Sequence, residues 1–370
     1  MRTYIPLILV SLSFAMVGCG RDGGKKQGPE KSNGKGKTDN IKIVFLTNNP
    51  AAFWTIAERG TDKAAQDFHV EVSFRRPATG TAAEQQRILE DLLDKGMDGV
   101  AVSPNDAKNL VGFLKNSVAN KLPLICQDSD VPDPKARRCY LGTHNYRAGR
   151  AAGALVEKAI PEGGKFAIFV GKMDVQNAVE RRQGVLDYLA GKDQKEMVQV
   201  TPANAANLKI GKYVLVETKT DGVQANVCQQ RAEDLLSRES DIACLVGLWE
   251  YNPPALLNAV GAVKLPKKPA IVGFDEAYQT LDAIRTGDII GTVVQDPFNF
   301  GYESIKILSH MVRDGDDRIL KSYKEIDDLQ RIVIPHRVIT REVMKMPENI
   351  TTLQVDSFYA DLKKLKGDTK

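Results

Sequence analysis

The stretch Ala270-Ile-Val-Gly-Phe-Asp-Glu276, with Ile290-Ile-Gly-Thr-Val-Val-Gln-Asp296 shortly after it, decides how this chain is read. Each piece is a short, mostly apolar run that ends abruptly in side chains made for hydrogen bonding. A near-continuous apolar run, rather than an alternating one, is expected of a parallel strand covered on both faces. A polar residue directly beyond such a strand falls where open parallel sheets bind ligands, past the strands' carboxyl ends.

The same pattern recurs on either side. Residues 41–47, 71–74, 99–102, 123–126 and 139–141 form one series of strand candidates. Residues 165–170, 213–217, 242–248, 270–274 and 290–294 form a second. Between them, Ala57, Gly60, Ala64 and Phe68 recur at helical spacing, as do Ile88, Leu89, Leu92 and Leu93. Two such βα series predict an α/β protein of two doubly wound parallel-sheet lobes, in keeping with 370 residues, too many for one ordinary core. Residues 332–339 are a further strand candidate, interrupted by Pro335, and the tail after Met344 is polar and mixed, with no function assigned.

The residues that follow the strands share a chemistry. In the first series they are Asn48-Asn49-Pro50 with Phe53-Trp54, then Ser103-Pro104, then Gln127-Asp128-Ser129-Asp130. In the second they are Trp249-Glu250-Tyr251-Asn252, Asp275-Glu276 and Gln295-Asp296. Carboxylates accept hydrogen bonds from hydroxyls, and amides both donate and accept. Aromatic faces offer a flat apolar surface to the C–H face of a sugar ring. A polyhydroxylated small ligand matches this inventory better than a phosphate or an apolar one. Taken singly, Asn49 or Asp128 reads as a turn former and Trp54 as a core anchor; their common position at strand ends makes the case.

Charge points away from nucleic acid. The net +4 comes from Arg2 and from residues 20–40, while residues 41–370 hold 44 basic and 44 acidic side chains. A nucleic-acid binder carries its positive excess on a folded face. Residues 1–19 read as a secretory leader, with an apolar run too short for a permanent span of ~20 residues. The leader ends in Met16-Val-Gly-Cys19, which resembles a bacterial lipobox and implies a lipid on Cys19. Residues 20–40 read as a flexible tether. In an exported chain, Cys126, Cys139, Cys228 and Cys244 either pair locally (126 with 139, 228 with 244) or remain four buried thiols.

The chain resembles the periplasmic sugar-binding proteins of the ribose-binding type, the substrate-binding components of ABC importers, over about residues 41–339. The resemblance is carried by Thr47-Asn-Asn-Pro50, Pro123-Leu-Ile-Cys-Gln-Asp128, Leu141-Gly-Thr-His-Asn145, Glu180-Arg-Arg-Gln-Gly184, Ile271-Val-Gly-Phe-Asp275 and Gly291-Thr-Val-Val-Gln295. It implies the type I periplasmic binding fold with three hinge crossings, near residues 142–145, near 295–297 and before Ile332. The first lobe would then be residues 41–143 plus about 297–328, the second 144–296 plus about 329–345, and the tail 346–370. It implies ligand contacts from Asn49, Phe53, Trp54, Ser103 and Asp128 on one side. From the other come Asn145, Arg181, Trp249, Asn252 (with Tyr251 as its competitor), Asp275 and Gln295. Ser103 stands where the family has Asn and Ser129 where it has Arg, so the departures fall in the pocket rather than the scaffold. The implied partners are a monosaccharide or polyol, an ABC permease and, through the lipid, a membrane. A monomer without cofactor or metal is expected.

Three rivals share parts of this reading. A glycoside-acting enzyme would use Asp128 and Asp275 as its carboxylate pair. The chain has no Gly-x-Ser-x-Gly elbow, however, and its four histidines show no metal spacing. A sugar-responsive repressor would carry a DNA-binding helix pair where the leader and tether stand. A sensory protein reporting sugar to a membrane receptor would use the same clam-shell.

Overall fold

The apolar runs become strands rich in Val, Ile and Phe, side chains that pack well on a pleated surface covered from both sides. The computed structural model describes residues 40–51, 53–324, 326–346 and 350–366. The leader, Cys19 and nearly all of the tether lie outside the described residues. β1 (Lys42–Leu46), β2 (Glu71–Arg75), β3 (Gly99–Val102), β4 (Leu124–Gln127) and β5 (Tyr140–Gly142) build a wholly parallel sheet in the order β2-β1-β3-β4-β5.

The second sheet repeats that order. β6 (Gly164–Val170), β8 (Tyr213–Thr220), β9 (Ile242–Gly247), β10 (Ala270–Phe274) and β11 (Gly291–Val294) run parallel as β8-β6-β9-β10-β11, and the short β7 (Leu208–Ile210) adds antiparallel to β8. In each sheet the strand order reverses at the first strand, and there the carboxyl ends open a crevice for a ligand.

Helices cover both sheets. In the first lobe these are α1 (Trp54–Phe68), α2 (Ala82–Asp94) and α3 (Ala107–Phe113). In the second they are α4 (Asn145–Ala159), α5 (Gln176–Leu189), α6 (Ala225–Arg238), α7 (Asn252–Ala262) and α8 (Tyr278–Thr286). α2 begins with a reciprocal cap: the Thr81 hydroxyl accepts from the Glu84 amide, and the Glu84 carboxylate accepts from Ala78, Thr79 and Gly80 amides. The chain returns to the first lobe through α9 (Pro297–Asp314), capped by Asp296 and started by Pro297, whose Phe300, Ile305, Leu308 and Met311 join the core under the first sheet.

Beyond α9 the chain departs from two expectations. Residues 332–339 are not one strand. β12 (Arg331–Val333) pairs with β5 in the first sheet, whereas β13 (Arg337–Thr340) pairs antiparallel with β11 in the second. The third crossing is therefore residues 334–336, after Ile332 rather than before it, and residues 331–333 belong with the first sheet. Pro335 lacks the amide that would continue a strand ladder, so the break falls there. The tail after residue 346 also builds structure. β14 (Thr352–Gln354) pairs with β13, and α10 (Val355–Lys366) buries Val355, Phe358 and Leu362 in the apolar core of the second lobe.

All four body cysteines are free and buried, which settles the open alternative against local pairing. Cys126 on β4 and Cys139, directly before β5, share a backbone hydrogen bond yet remain thiols. Burial pushes the thiols of Cys139, Cys228 and Cys244 up to about 12, so they are inert in the folded state.

Candidate functional site

The ends of the two sheets face one cleft. Its walls are Asn48, Asn49, Phe53, Trp54 and Asp128 from the first lobe, and Asn177, Arg181, Trp249, Glu250, Tyr251, Asp275 and Gln295 from the second. Asp128 follows β4 and Asp275 follows β10, equivalent places in the two sheets. Both take left-handed backbone, with φ of 60° and 62°. Aspartate tolerates that conformation better than most residues, and backbone held there collects at functional sites. The turn is fastened by backbone bonds from Asp128 to Leu141 and from Asp275 to Val293, and by the Thr292 hydroxyl on the Asp275 carbonyl.

On the first-lobe side, Asp128 Oδ2 accepts from Ser103 Oγ at 2.9 Å, Ser129 Oγ at 3.2 Å and Asn48 Nδ2 at 3.3 Å. Ser103 is fully buried behind this carboxylate and does not line the cleft, so it positions Asp128 rather than meeting a ligand. Asn49 lines the cleft, but its amide is spent on the loop: Nδ2 donates to Asn48 Oδ1 and Oδ1 accepts from the Ala51 amide. The neighbouring Asn48, counted among the strand-end residues but given no ligand contact there, carries the amide that reaches Asp128. Phe53 and Trp54 stand edge to face at 5.1 Å and form the apolar wall.

On the second-lobe side, α5 delivers Asn177 and Arg181 one turn apart on one face. The Arg181 guanidinium lies 4.3 Å over the Phe274 ring. Its Nε donates to Asn145 Oδ1 at 2.9 Å, its Nη1 donates to the Leu248 carbonyl at 3.0 Å, and Asp275 Oδ2 is 3.9 Å away. Asn145 thus holds Arg181 and faces an adjoining recess rather than the aromatic cleft. α5 can lie this close to α4 because glycines meet at the crossing: a Cβ on Gly149 would stand 2.1 Å from the Arg181 carbonyl, and one on Gly184 2.2 Å from that of Tyr146. Gln295 Nε2 donates to Asp275 Oδ1 at 2.9 Å.

The Trp249 loop is set from behind. Asn252 is wholly buried; its Oδ1 accepts from the Trp249 amide and its Nδ2 donates to Asp221, which also accepts from the Tyr251 hydroxyl. Asn252 is therefore a strut, and its competitor Tyr251 lines the cleft. The Trp249 ring packs on Gly171, where any Cβ would overlap it. Of the residues not assigned to the ligand, Glu250 lies in the strand-end segment after β9, beside Tyr251, which was the alternative to Asn252. Asn177 follows no strand; its signal was the four-residue spacing from Arg181.

Electrostatics mark the same place. Burial pushes the Asp275 carboxyl up to about 7, against the opposing pull of Arg181 and the Gln295 hydrogen bond. Burial also raises Asp128, opposed by Arg181 and the two serine hydroxyls. Four buried polar atoms on the cleft's lining residues have no hydrogen-bond partner among the described residues: Asn177 Oδ1, Arg181 Nη2, Trp249 Nε1 and Gln295 Oε1. Buried polar atoms are ordinarily paired, so four orphans on one cleft's lining mark it as the candidate binding site. Among the described residues, no group of His, Cys, Asp and Glu is placed to hold a metal ion, and no helix is long and apolar enough to cross a membrane.

Two repeated sheets opening on one polar, aromatic-walled cleft define a two-lobed ligand-binding protein. The chain matches the periplasmic binding protein domain over residues 41–317 and belongs to that family. It is 22% identical over 281 residues to the D-allose-binding periplasmic protein of Escherichia coli (strain K12), covering 74% of this chain and 84% of that one. To the ribose import binding protein RbsB of Bacillus subtilis (strain 168) it is 23% identical over 298 residues, covering 80% and 89%. An ABC transporter solute binding protein from Burkholderia graminis C4D1M, in complex with D-arabinose, superposes with a TM-score of 0.69 at 23% identity, covering 82% of this chain and 97% of that one. The fold is the type I periplasmic binding fold.

Proposed function

We propose that the protein captures a monosaccharide or similar polyol between its lobes and delivers it to an ABC-type importer in the membrane. The observation that carries this reading is the set of four unpaired, buried polar atoms on one aromatic-walled cleft, between carboxylates at equivalent strand ends. Hydroxyl groups donate and accept at once, so a polyol satisfies Asn177 and Gln295 oxygens together with Arg181 and Trp249 donors. The aromatic wall of Phe53, Trp54 and Trp249 takes the apolar face of the ring. Contacts from both lobes make the ligand a wedge that favours the closed form. The family and the names of its relatives support binding rather than catalysis.

The test is a thermal-shift screen of the full chain against pentoses, hexoses and polyols, followed by titration of the best hit. A ligand specific to the folded state, present at a hundred times its dissociation constant, adds about 2.7 kcal/mol, well within reach of such a screen. Ligand-dependent uptake in membrane vesicles carrying the cognate permease then tests delivery. No stabilisation by any polyhydroxylated compound overturns the reading.

A further inference from the structure

The aromatic cleft is small for a binding site. Its volume is about 70 Å³, whereas small-molecule sites ordinarily measure roughly 300 Å³ and upward. A larger space adjoins it. Asp128 and Asn177 line both the cleft and a recess of about 360 Å³, so the two spaces meet at this pair. The recess has walls from both lobes: Ser129 and Asp327 from the first, Gln176 and Glu180 from the second. Thr143 and His144, on the crossing between β5 and α4, complete it. Helix α5 serves both spaces. Asn177 and Arg181 line the cleft, while Gln176, Asn177 and Glu180 line the recess, as neighbouring stripes of four-residue spacing. At the junction one long hydrogen bond, from Asn177 Nδ2 to Ser129 Oγ at 3.4 Å, links the lobes.

The lining of the recess says what kind of group it takes. Ile326 and Val333 are its aliphatic members, and every other lining side chain carries a hydrogen-bonding group. An apolar substituent is therefore a poor occupant. So is an anionic one. Both guanidiniums that line the recess already stand beside carboxylates: Arg147 is 3.7 Å from Glu196, and Arg331 is 3.4 Å from Glu196 and 2.5 Å from Asp327. Glu180 differs from those carboxylates. It accepts one hydrogen bond, from Gln176 Nε2 at 2.6 Å, and makes no ion pair among the described residues. A carboxylate offers about four acceptor positions, so Glu180 keeps room for hydroxyl donors. A neutral, polyhydroxylated unit matches the recess, as a sugar ring matches the aromatic cleft.

We propose that the ligand is a disaccharide or similar glycoside, with one sugar ring in the aromatic cleft and a second polyhydroxylated unit in the recess beside Glu180. The inference rests on the sugar-binding reading and extends its ligand by one unit. The experiment is calorimetric titration of the full chain with maltose, cellobiose, lactose, sucrose and trehalose. Each is set against its constituents among D-glucose, D-galactose and D-fructose. At least one disaccharide binds at least about tenfold more tightly than either of its constituents. Glu180→Ala lowers that disaccharide's affinity about tenfold and leaves the constituents' affinities within about twofold, because Glu180 lines the recess and not the cleft. Thermal unfolding of the empty variant at the wild-type temperature shows that it is folded. Monosaccharides that bind as tightly as every disaccharide overturn the inference and leave the sugar-binding reading intact. A disaccharide preference that survives Glu180→Ala puts the second unit outside the recess and overturns the inference as well. No binding by any sugar of either length overturns both.

Discussion

Replacing Asp275 with asparagine separates the cost of this carboxyl to folding from its use in binding. The change is nearly isosteric, and asparagine accepts the left-handed φ of 62° as readily as aspartate. Its side-chain oxygen can still accept from Gln295 Nε2, and the Thr292 bond goes to backbone. The charge is lost, and an NH2 group takes the place of Oδ2, the oxygen 3.9 Å from Arg181. Burial raises the folded carboxyl from 3.8 to about 7, so between these values the folded state holds a proton that the unfolded chain has released. Stability from this group is therefore greatest below its unfolded pKa and is lost as pH rises through about 7. At about 1.4 kcal/mol per pH unit, the wild type loses about 2 kcal/mol relative to the variant between pH 5 and pH 7, and nothing further above pH 8. His144 and His336, whose burial lowers their pKa, contribute in the opposite sense but equally in both proteins, so they cancel in the difference. Urea unfolding of both ligand-free proteins at pH 5, 6, 7 and 8 measures that difference directly. In the same variant, loss of a charged acceptor weakens ligand binding by about 1.5–3 kcal/mol, roughly ten- to a hundredfold. A stability difference that is flat with pH, or a wild type that gains on the variant toward pH 7, would refute the reasoning. It would show that Arg181 at 3.9 Å outweighs burial.

Four further outcomes can be measured. Asn177→Ala lowers ligand affinity about tenfold while shifting the empty protein's stability by about 1 kcal/mol or less, because its one protein hydrogen bond is 3.4 Å long; equal affinity by titration would remove Asn177 from the site. Gly184→Ala forces a Cβ to 2.2 Å from the Tyr146 carbonyl, separates α5 from α4, and costs about 1–3 kcal/mol in denaturant unfolding together with ligand affinity, since Arg181 moves with α5. The four body thiols resist alkylation in the native protein and all react in denaturant without reductant; a mass shift on reduction would contradict them as free thiols. Truncation after Met346 removes β14 and α10 with buried Val355, Phe358 and Leu362, and lowers stability by about 5 kcal/mol as an upper value.

The architecture was legible because its signal is local and repeated. Runs such as 270–274 and 290–294 need no knowledge of their neighbours to be read as buried parallel strands, and ten of them in two series leave little choice of fold. What was not legible depended on packing between distant segments. Nothing within residues 332–339 says that the strand before Pro335 joins one sheet and the strand after it the other. The periodicity of Val355, Phe358 and Leu362 was present in the tail, but one apolar stripe among charged residues does not reveal the surface that covers it. At the cleft, strand-end position located Asp128, Asp275, Gln295 and Trp249. It did not distinguish side chains that face the ligand from those that support them: Ser103 lies behind Asp128, Asn252 behind Trp249, and Asn145 behind Arg181. A residue's place in the chain fixes where its Cα lies, whereas its role depends on which partners have already taken its hydrogen bonds.

Those partners also explain why a ligand should control closure. Each unpaired buried polar atom costs about 1–3 kcal/mol, and the cleft's lining residues hold four of them among the described residues, on Asn177, Arg181, Trp249 and Gln295. Their sum, about 4–12 kcal/mol, falls away when the lobes part and the same atoms meet water. Moving a two-state equilibrium from 1:99 to 99:1 takes about 5.5 kcal/mol of differential affinity. A ligand that pairs all four atoms supplies an amount of that size without any new contact elsewhere. One that pairs only two supplies half as much, even if it fits the aromatic wall equally well. Under the proposed function, discrimination among sugars of similar size resides in how many of these four atoms each can satisfy at once.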